Sequence, residues 1–334
     1  MKMVFPMLAL AAMSFAHASF AQTASTPRYG ARLEGFDYPH PVRTFAFASQ
    51  DQPLEMAYLD VAPAKPNGRT VVLLHGKNFC AATWDATITA LAGAGYRVIA
   101  PDQIGFCKSS KPQRYQHSFA QLAGNTHALL EKLGIERAVI VGHSMGGMLA
   151  ARYALQYPQA TERLLLVNPI GLEDWKAEGV PWRSLDAWYA REQKTTFDSI
   201  RDYQRTVYYG GDWKPAYERW VQMLGGMYAG DGGQAVAWSQ ASTSDMVFNQ
   251  PVVYEFPRIT APTTLFIGQK DRTAIGKDLA PPDVAQRLGD YPTLGKRAAA
   301  AIPRATLVEF ADLGHSPQVE APARFNAALL SALK

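Results

Sequence analysis

The chain of 334 residues is short of several things, and each shortage removes a class of protein. It has two cysteines, Cys80 and Cys107, too few for the cross-linked framework of a small secreted scaffold, and their spacing fits no zinc pattern. Charged residues make up 19% of the chain and the formal net charge is only +4. The basic residues are scattered, so no run of them offers a face to nucleic acid. The apolar stretch from Val4 to Phe15 is too short to cross a membrane. There is no internal repeat and no low-complexity tract. What remains is an ordinary globular composition, 48% apolar, with length enough for one large domain or for a core plus an insertion.

The first residues do not read as part of the fold. Lys2 supplies a positive charge, the apolar stretch follows, and Ser19-Phe20-Ala21 has the small-x-small form of a cleavage site, with Ala16-His17-Ala18 as an earlier alternative. This is the pattern of a secretory signal peptide over residues 1–21. It predicts an exported protein, periplasmic or secreted, whose mature chain begins at Gln22. No cysteine follows the apolar stretch, so no lipid or membrane anchor is expected after cleavage. Residues 22–40, rich in Thr, Ser and Pro, read as a loose leader.

Beyond the leader the pattern becomes regular. Residues 45–48 and 54–61 alternate as exposed-edge strands do. Thr70 to Leu74, Arg97 to Asp102, Val139 to His143, Arg163 to Asn168, Thr263 to Gly268 and Thr306 to Phe310 are short strand-like runs, most of them continuously apolar as in parallel strands buried on both faces. Helical periodicity fills 81–94, 118–133 and 322–333, with Ser118 and Gln121 as a capping box. Strand–helix alternation of this kind predicts a parallel α/β sheet. It breaks between 171 and 257, where six of the seven tryptophans fall among amphipathic helical segments parted by glycine turns. The expected organisation is therefore a core over 22–170, a helical insertion over 171–257, and the rest of the core over 258–334.

Chemistry concentrates at the ends of strands. Gly142-His143-Ser144-Met145-Gly146 joins an apolar strand to a helical pattern, the setting in which Gly-x-Ser-x-Gly is a nucleophile elbow. A serine hydroxyl needs a base, and the base needs an orienting group. Asp271 follows the strand at 263–268, and His315 follows the last strand in Gly314-His315-Ser316. An open parallel sheet places its ligands at these carboxyl ends. Asp174, beyond the strand ending at Asn168, is the alternative acid. His75, His117, His127 and His143 compete with His315; His127 falls on the helix at 118–133.

Taken together, His75-Gly76, Asp102 to Gly105 with Ser110-Lys111-Pro112 after it, the Gly-His-Ser-Met-Gly elbow, the Gly-x-x-Asp turn and the Gly-His turn resemble the α/β-hydrolase superfamily over roughly residues 54–334. The resemblance implies the α/β-hydrolase fold, a mostly parallel central sheet flanked by helices, with 171–257 similar to the cap of the esterase, carbon–carbon bond hydrolase and dehalogenase-like members. Epoxide hydrolases and haloalkane dehalogenases carry an aspartate at the elbow, and Ser144 argues against both chemistries. The implied activity is hydrolysis of an ester or related carbonyl compound by Ser144, His315 and Asp271, with the Lys77 and Met145 amides as oxyanion donors. The expected partner is a small-molecule substrate, and no metal or organic cofactor is implied. A carbon–carbon hydrolase of a vinylogous diketone, a proline iminopeptidase, a lactonase, an acyltransferase, a cofactor-free haloperoxidase or a binding protein that kept the fold stay open. The resemblance also makes His75 and His143 structural. The Lys77 ammonium is expected to extend outward to solvent. In the superfamily's strand order the strands before Cys80 and Cys107 are neighbours, so the two sulfurs either form a disulfide or stay two buried thiols.

Overall fold

The computed structural model describes residues 26–334 together with Met1; the signal-peptide reading of residues 1–21 otherwise lies outside the described residues. Eight strands form one sheet in the order β1-β2-β4-β3-β5-β6-β7-β8. β1 (Val42–Ser49) and β2 (Gln52–Val61) make an antiparallel edge, and β2 pairs antiparallel with β4 (Arg97–Pro101). From there β3 (Thr70–Leu74), β5 (Ala138–His143), β6 (Thr161–Val167), β7 (Thr263–Gly268) and β8 (Ala305–Phe310) run parallel.

The apolar strands are continuous because both faces are covered. Successive side chains point to opposite faces. Val71, Leu73, Val139 and Val141 pack with Trp84 just before α1 (Asp85–Gly93), with Ile88 of α1, and with Phe325 and Leu329 of the C-terminal helix. Val72, Leu74 and Ile140 pack with Leu122, Leu129, Leu149 and Tyr153, from α2 (Phe119–Lys132) and α3 (Met145–Gln156). Each fully buried aliphatic side chain contributes about 1.5–3 kcal/mol, so the strands that carry the site are the most firmly held part of the chain.

Between β6 and β7 the chain makes no strand. It forms α4 (Leu185–Glu192), α5 (Phe197–Tyr203) running into a π-helical turn over Gln204–Tyr208, α6 (Glu218–Ala229) and α7 (Gly233–Asn249). Four more helices follow: α8 (Pro282–Arg287), α9 (Tyr291–Ala301), α10 (Pro317–Glu320) and α11 (Pro322–Ala332). Among the described residues no helix is long and apolar enough to cross a membrane.

Three expectations need correcting. The leader is pinned from residue 29 onward rather than loose: the Tyr29 amide donates to the Gly226 carbonyl at 2.8 Å, Leu33 is fully buried, and the Tyr38 hydroxyl donates to Asp102 Oδ2 at 2.6 Å. Residues 81–84 form a 3₁₀ turn before α1 rather than its first turn. The capping box at α2 is half made: Ser118 Oγ accepts from the Gln121 amide, but the Gln121 side chain donates to Asn125 Oδ1 instead. No element was expected over 269–305, where α8 begins at Pro282, α9 has Pro292 as its second residue, and both are rich in small or polar residues.

Candidate active site

Ser144 is presented by strain and by close main-chain packing. Ser144 sits between β5 and α3 with φ 56° and ψ −122°, a sparsely populated conformation that costs about 1–3 kcal/mol. Glycine makes the turn sterically possible. A Cβ on Gly142 would lie 2.0 Å from the Gly146 carbonyl oxygen, and one on Gly146 would lie 2.3 Å from that of Leu74. A Cβ on Gly76 would lie 2.9 Å from the Ser144 Cβ, so the loop after β3 touches the nucleophile directly.

That loop carries Lys77, and α3 begins at Met145. Among the described residues neither of these two amides donates to a protein acceptor, and both lie at main-chain positions adjoining Ser144 or the glycine packed against it. The Met145 amide also belongs to the first turn of a helix, where the aligned peptide dipoles favour negative charge.

Asp271 and His315 meet beyond β7 and β8. His315 Nδ1 lies 2.6 Å from Asp271 Oδ2, and both side chains are fully buried. Asp271 accepts two further bonds, from Asn168 Nδ2 at 2.9 Å and from the Thr273 amide at 2.8 Å. Asn168 also accepts from the Gly268 amide at 2.9 Å, so it is fixed on its other side. With Nδ1 bonded to a carboxylate, Nε2 is the ring nitrogen left for another partner. Nε2 is buried and has no hydrogen-bond partner among the described residues, so it makes no bond to Ser144 here. Catalytic hydrogen bonds are often long or unmade in a ligand-free site.

His315 is braced from three further directions. Its amide donates to the Tyr208 carbonyl at 2.8 Å, and its ring stacks on Tyr208 with centroids 4.5 Å apart. Its carbonyl accepts from His143 Nε2 at 2.8 Å. Burial, and then the neighbouring His315, push the His143 imidazole well below its usual range, so it stays neutral and serves as a strut. Glu320 accepts from the Gly314 and Ser316 amides on either side of His315. Burial raises its carboxyl while those amides oppose the rise.

The rival residues fall elsewhere. Asp174 accepts from the Tyr254 hydroxyl and the Lys176 amide, away from His315. His75 Nε2 accepts from the Gln103 amide at 3.0 Å, which leaves Nδ1 to donate to the Gly76 carbonyl at 2.8 Å. His127 stacks on Tyr157, and His117 packs edge-on against Tyr115. The expectation for the Lys77 ammonium is corrected: it turns inward and pairs with Glu192 of α4 at 3.0 Å, with both side chains mostly buried. Glu192 also accepts from the Tyr228 hydroxyl, which compensates the second carboxylate oxygen. Nearby, Cys80 and Cys107 form a disulfide, with Cα atoms 5.9 Å apart across the neighbouring β3 and β4 loops.

Ser144 opens into a cavity of about 560 Å³. The insertion supplies Trp188, Ile200, Val207, Tyr208 and Leu224 to its wall, and the loop after β7 supplies residues 272–278. Sequence reasoning missed Asn168, Tyr208, Glu192 and Glu320. Asn168 could have been found, because it stands at the carboxyl end of a buried strand as Asp271 does. Tyr208 and Glu192 act over long range and leave no local signal, whereas Glu320 lies only four to six positions from the amides it accepts from.

Comparison with known proteins agrees with this architecture. A probable hydrolytic enzyme of Pseudomonas aeruginosa PAO1, solved as a crystal structure, is 65% identical with a TM-score of 0.92 over 92% of this chain and 99% of its own. A 2-hydroxy-6-oxononadienedioate/2-hydroxy-6-oxononatrienedioate hydrolase of Comamonas testosteroni is 32% identical over 40% of this chain and 48% of its own length. A haloalkane dehalogenase of Mycobacterium marinum is 33% identical over 39% and 44%. The chain thus spans less than half the length of these curated relatives. The Alpha/beta hydrolase family matches residues 71–328, and the chain belongs to that family.

Proposed function

We propose that the protein is a serine hydrolase of carboxylic esters or related carbonyl compounds, acting through an acyl-enzyme. One observation carries the reading: a fully buried Asp271–His315 pair at 2.6 Å, its Nε2 unpartnered, beside a strained serine that opens into a closed-in cavity. Ser144 Oγ attacks the substrate carbonyl as His315 Nε2 takes its proton. Asp271 holds the imidazole tautomer and stabilises the imidazolium. The tetrahedral oxyanion is held by the Lys77 and Met145 amides, each worth about 3 kcal/mol of barrier. Nε2 then protonates the leaving group, and a water activated by the same nitrogen releases the acid. A fluorophosphonate probe should label the enzyme and fail on Ser144→Ala, while p-nitrophenyl esters are turned over only by the parent. Labelling that persists in the variant refutes the assignment.

The likeness to the Comamonas hydrolase supports a second reading, cleavage of a carbon–carbon bond in a vinylogous diketone by the same residues. Turnover of a ring-cleavage dienone with no turnover of simple esters would select it. The N-terminal pattern and the Cys80–Cys107 disulfide support export into an oxidising compartment. Mass spectrometry of the native protein should find an N-terminus at or near Gln22, and an intact Met1 refutes export.

A further inference from the structure

The walls of the Ser144 cavity carry an imbalance of charge that the hydrolytic step does not use. Lys77, Arg191, Lys194, Arg272 and Lys277 line it, against only Glu192 and Asp278. Both carboxylates are already engaged. Glu192 is held by Lys77 at 3.0 Å, and Asp278 by Arg191 at 3.0 Å and by Arg183 at 2.7 Å. That leaves three cations. Arg272 meets one carboxylate among the described residues, Asp290 at 3.9 Å and outside the cavity wall, and donates to the Asp271 carbonyl at 2.8 Å and the Gln269 carbonyl at 3.3 Å. Lys277 donates to the Leu288 carbonyl at 3.1 Å and forms no ion pair. Lys194 forms no ion pair among the described residues, and no side-chain bond of its ammonium is formed there either. Burial lowers the Lys277 ammonium and the positive charge of Arg272 lowers it further, opposed by the Glu173 carboxylate.

The placement of these groups separates two ends of the cavity. Ser144 is buried, and Ile170, Ile200, Val207 and Leu224 give its surroundings an apolar character. Lys194 and Arg272 are exposed and Lys277 is half-buried, which puts these three cations on the solvent side. They come from two facing segments, the end of α4 and the loop after β7, which are bound to each other by Arg191 and Asp278. A mouth walled by low-dielectric side chains focuses such a charge on whatever enters.

We infer that the preferred substrate is amphiphilic, with an apolar acyl portion at Ser144 and an anionic group, a carboxylate in the simplest case, held at the mouth by Lys194, Arg272 and Lys277. This rests on the serine-hydrolase reading and specifies its substrate class. Arg272 adjoins Asp271, so the two lysines are the better probes. The experiment compares p-nitrophenyl monoesters of adipic and suberic acid with their matching primary amides, which keep the shape and remove the charge. For at least one chain length, kcat/KM for the acid should exceed that for the amide by about tenfold at low salt, chiefly through KM, and the ratio should fall as salt rises. In Lys194→Gln/Lys277→Gln the ratio should drop to about twofold or less. Equal turnover of acid and amide by the parent, or a ratio unmoved in the double variant, overturns the inference. Should neither series be hydrolysed and no fluorophosphonate label appear, the serine-hydrolase reading itself has failed, and the inference falls with it.

Discussion

Breaking the Cys80–Cys107 bond tests how the loop that carries Lys77, the proposed oxyanion donor, is held. The bond closes a segment with a sequence separation of 27 residues, and it joins the loop after β3 to the loop after β4. For a closed loop of that size the chain-entropy account gives about 3.5 kcal/mol of stabilisation at 25 °C. About 310 ordered residues unfold with an entropy of about 650 cal/mol/K near the midpoint, so this loss should lower Tm by about 5 °C. Cys80→Ala/Cys107→Ala is the cleaner perturbation, since both sulfurs are buried and a reductant reaches them slowly. Differential scanning calorimetry reads the stability, and p-nitrophenyl ester turnover reads the site. Turnover should fall along with Tm. The Ala81 amide donates to buried Asp102 at 2.8 Å, and Gly76 packs on Ser144, so residues 76–81 form the span between the nucleophile and the bond. A double variant with Tm within about 1 °C of the parent refutes the entropic account. One that loses stability but keeps full turnover refutes the coupling to the oxyanion amides.

Three other outcomes follow from the same contacts. Glu192→Gln strands the mostly buried Lys77 ammonium and should cost up to about 3 kcal/mol in urea unfolding, whereas Lys77→Met/Glu192→Met should cost about 1 kcal/mol or less; equal costs refute the pair. Tyr208→Ala removes the ring stacked on His315 and should lower kcat by about a hundredfold with KM little moved, while Tyr208→Phe keeps the ring and stays within about threefold of the parent; a fall shared between kcat and KM, or an equal fall in both variants, refutes positioning. His117 is buried and its imidazole is pushed down to about 4 from 6.5. Between these pH values the unfolded chain binds the proton and the folded one does not, so stability is present above pH 6.5 and is lost as pH falls through 4. The loss should reach about 3 kcal/mol, and His117→Gln should remove that share of it. An unchanged pH slope of urea stability in the variant counts against the assignment.

Much of the fold was legible because its signals are local. Continuous apolar runs marked the parallel strands, and the positions of Ser144, Asp271 and His315 just beyond strand ends marked the site. The contacts that tune the site were not legible. Lys77 meets Glu192 across 115 positions, and neither residue's neighbours in sequence announce the meeting. Tyr208 reaches His315 from a π-helical turn, a conformation with no compositional mark. The leader was misjudged for the reverse reason. Its Thr, Ser and Pro content suggests a free coil, while Leu33, Phe36 and Tyr38 supply enough buried surface to hold it down.

The glycine contacts at the elbow divide the molecule into two kinds of material. Gly142, Gly146 and Gly76 fix Ser144 through main-chain and Cβ approaches, so the placement of the serine itself depends little on which side chains line the cavity. Most of the wall above it is made of side chains from a different stretch of the chain, between β6 and β7. Substitutions in that stretch, Tyr208 apart, can therefore redraw what the cavity accepts without disturbing how Ser144 is aimed, whereas a single methyl group at Gly146 would displace Ser144 whatever the cavity holds.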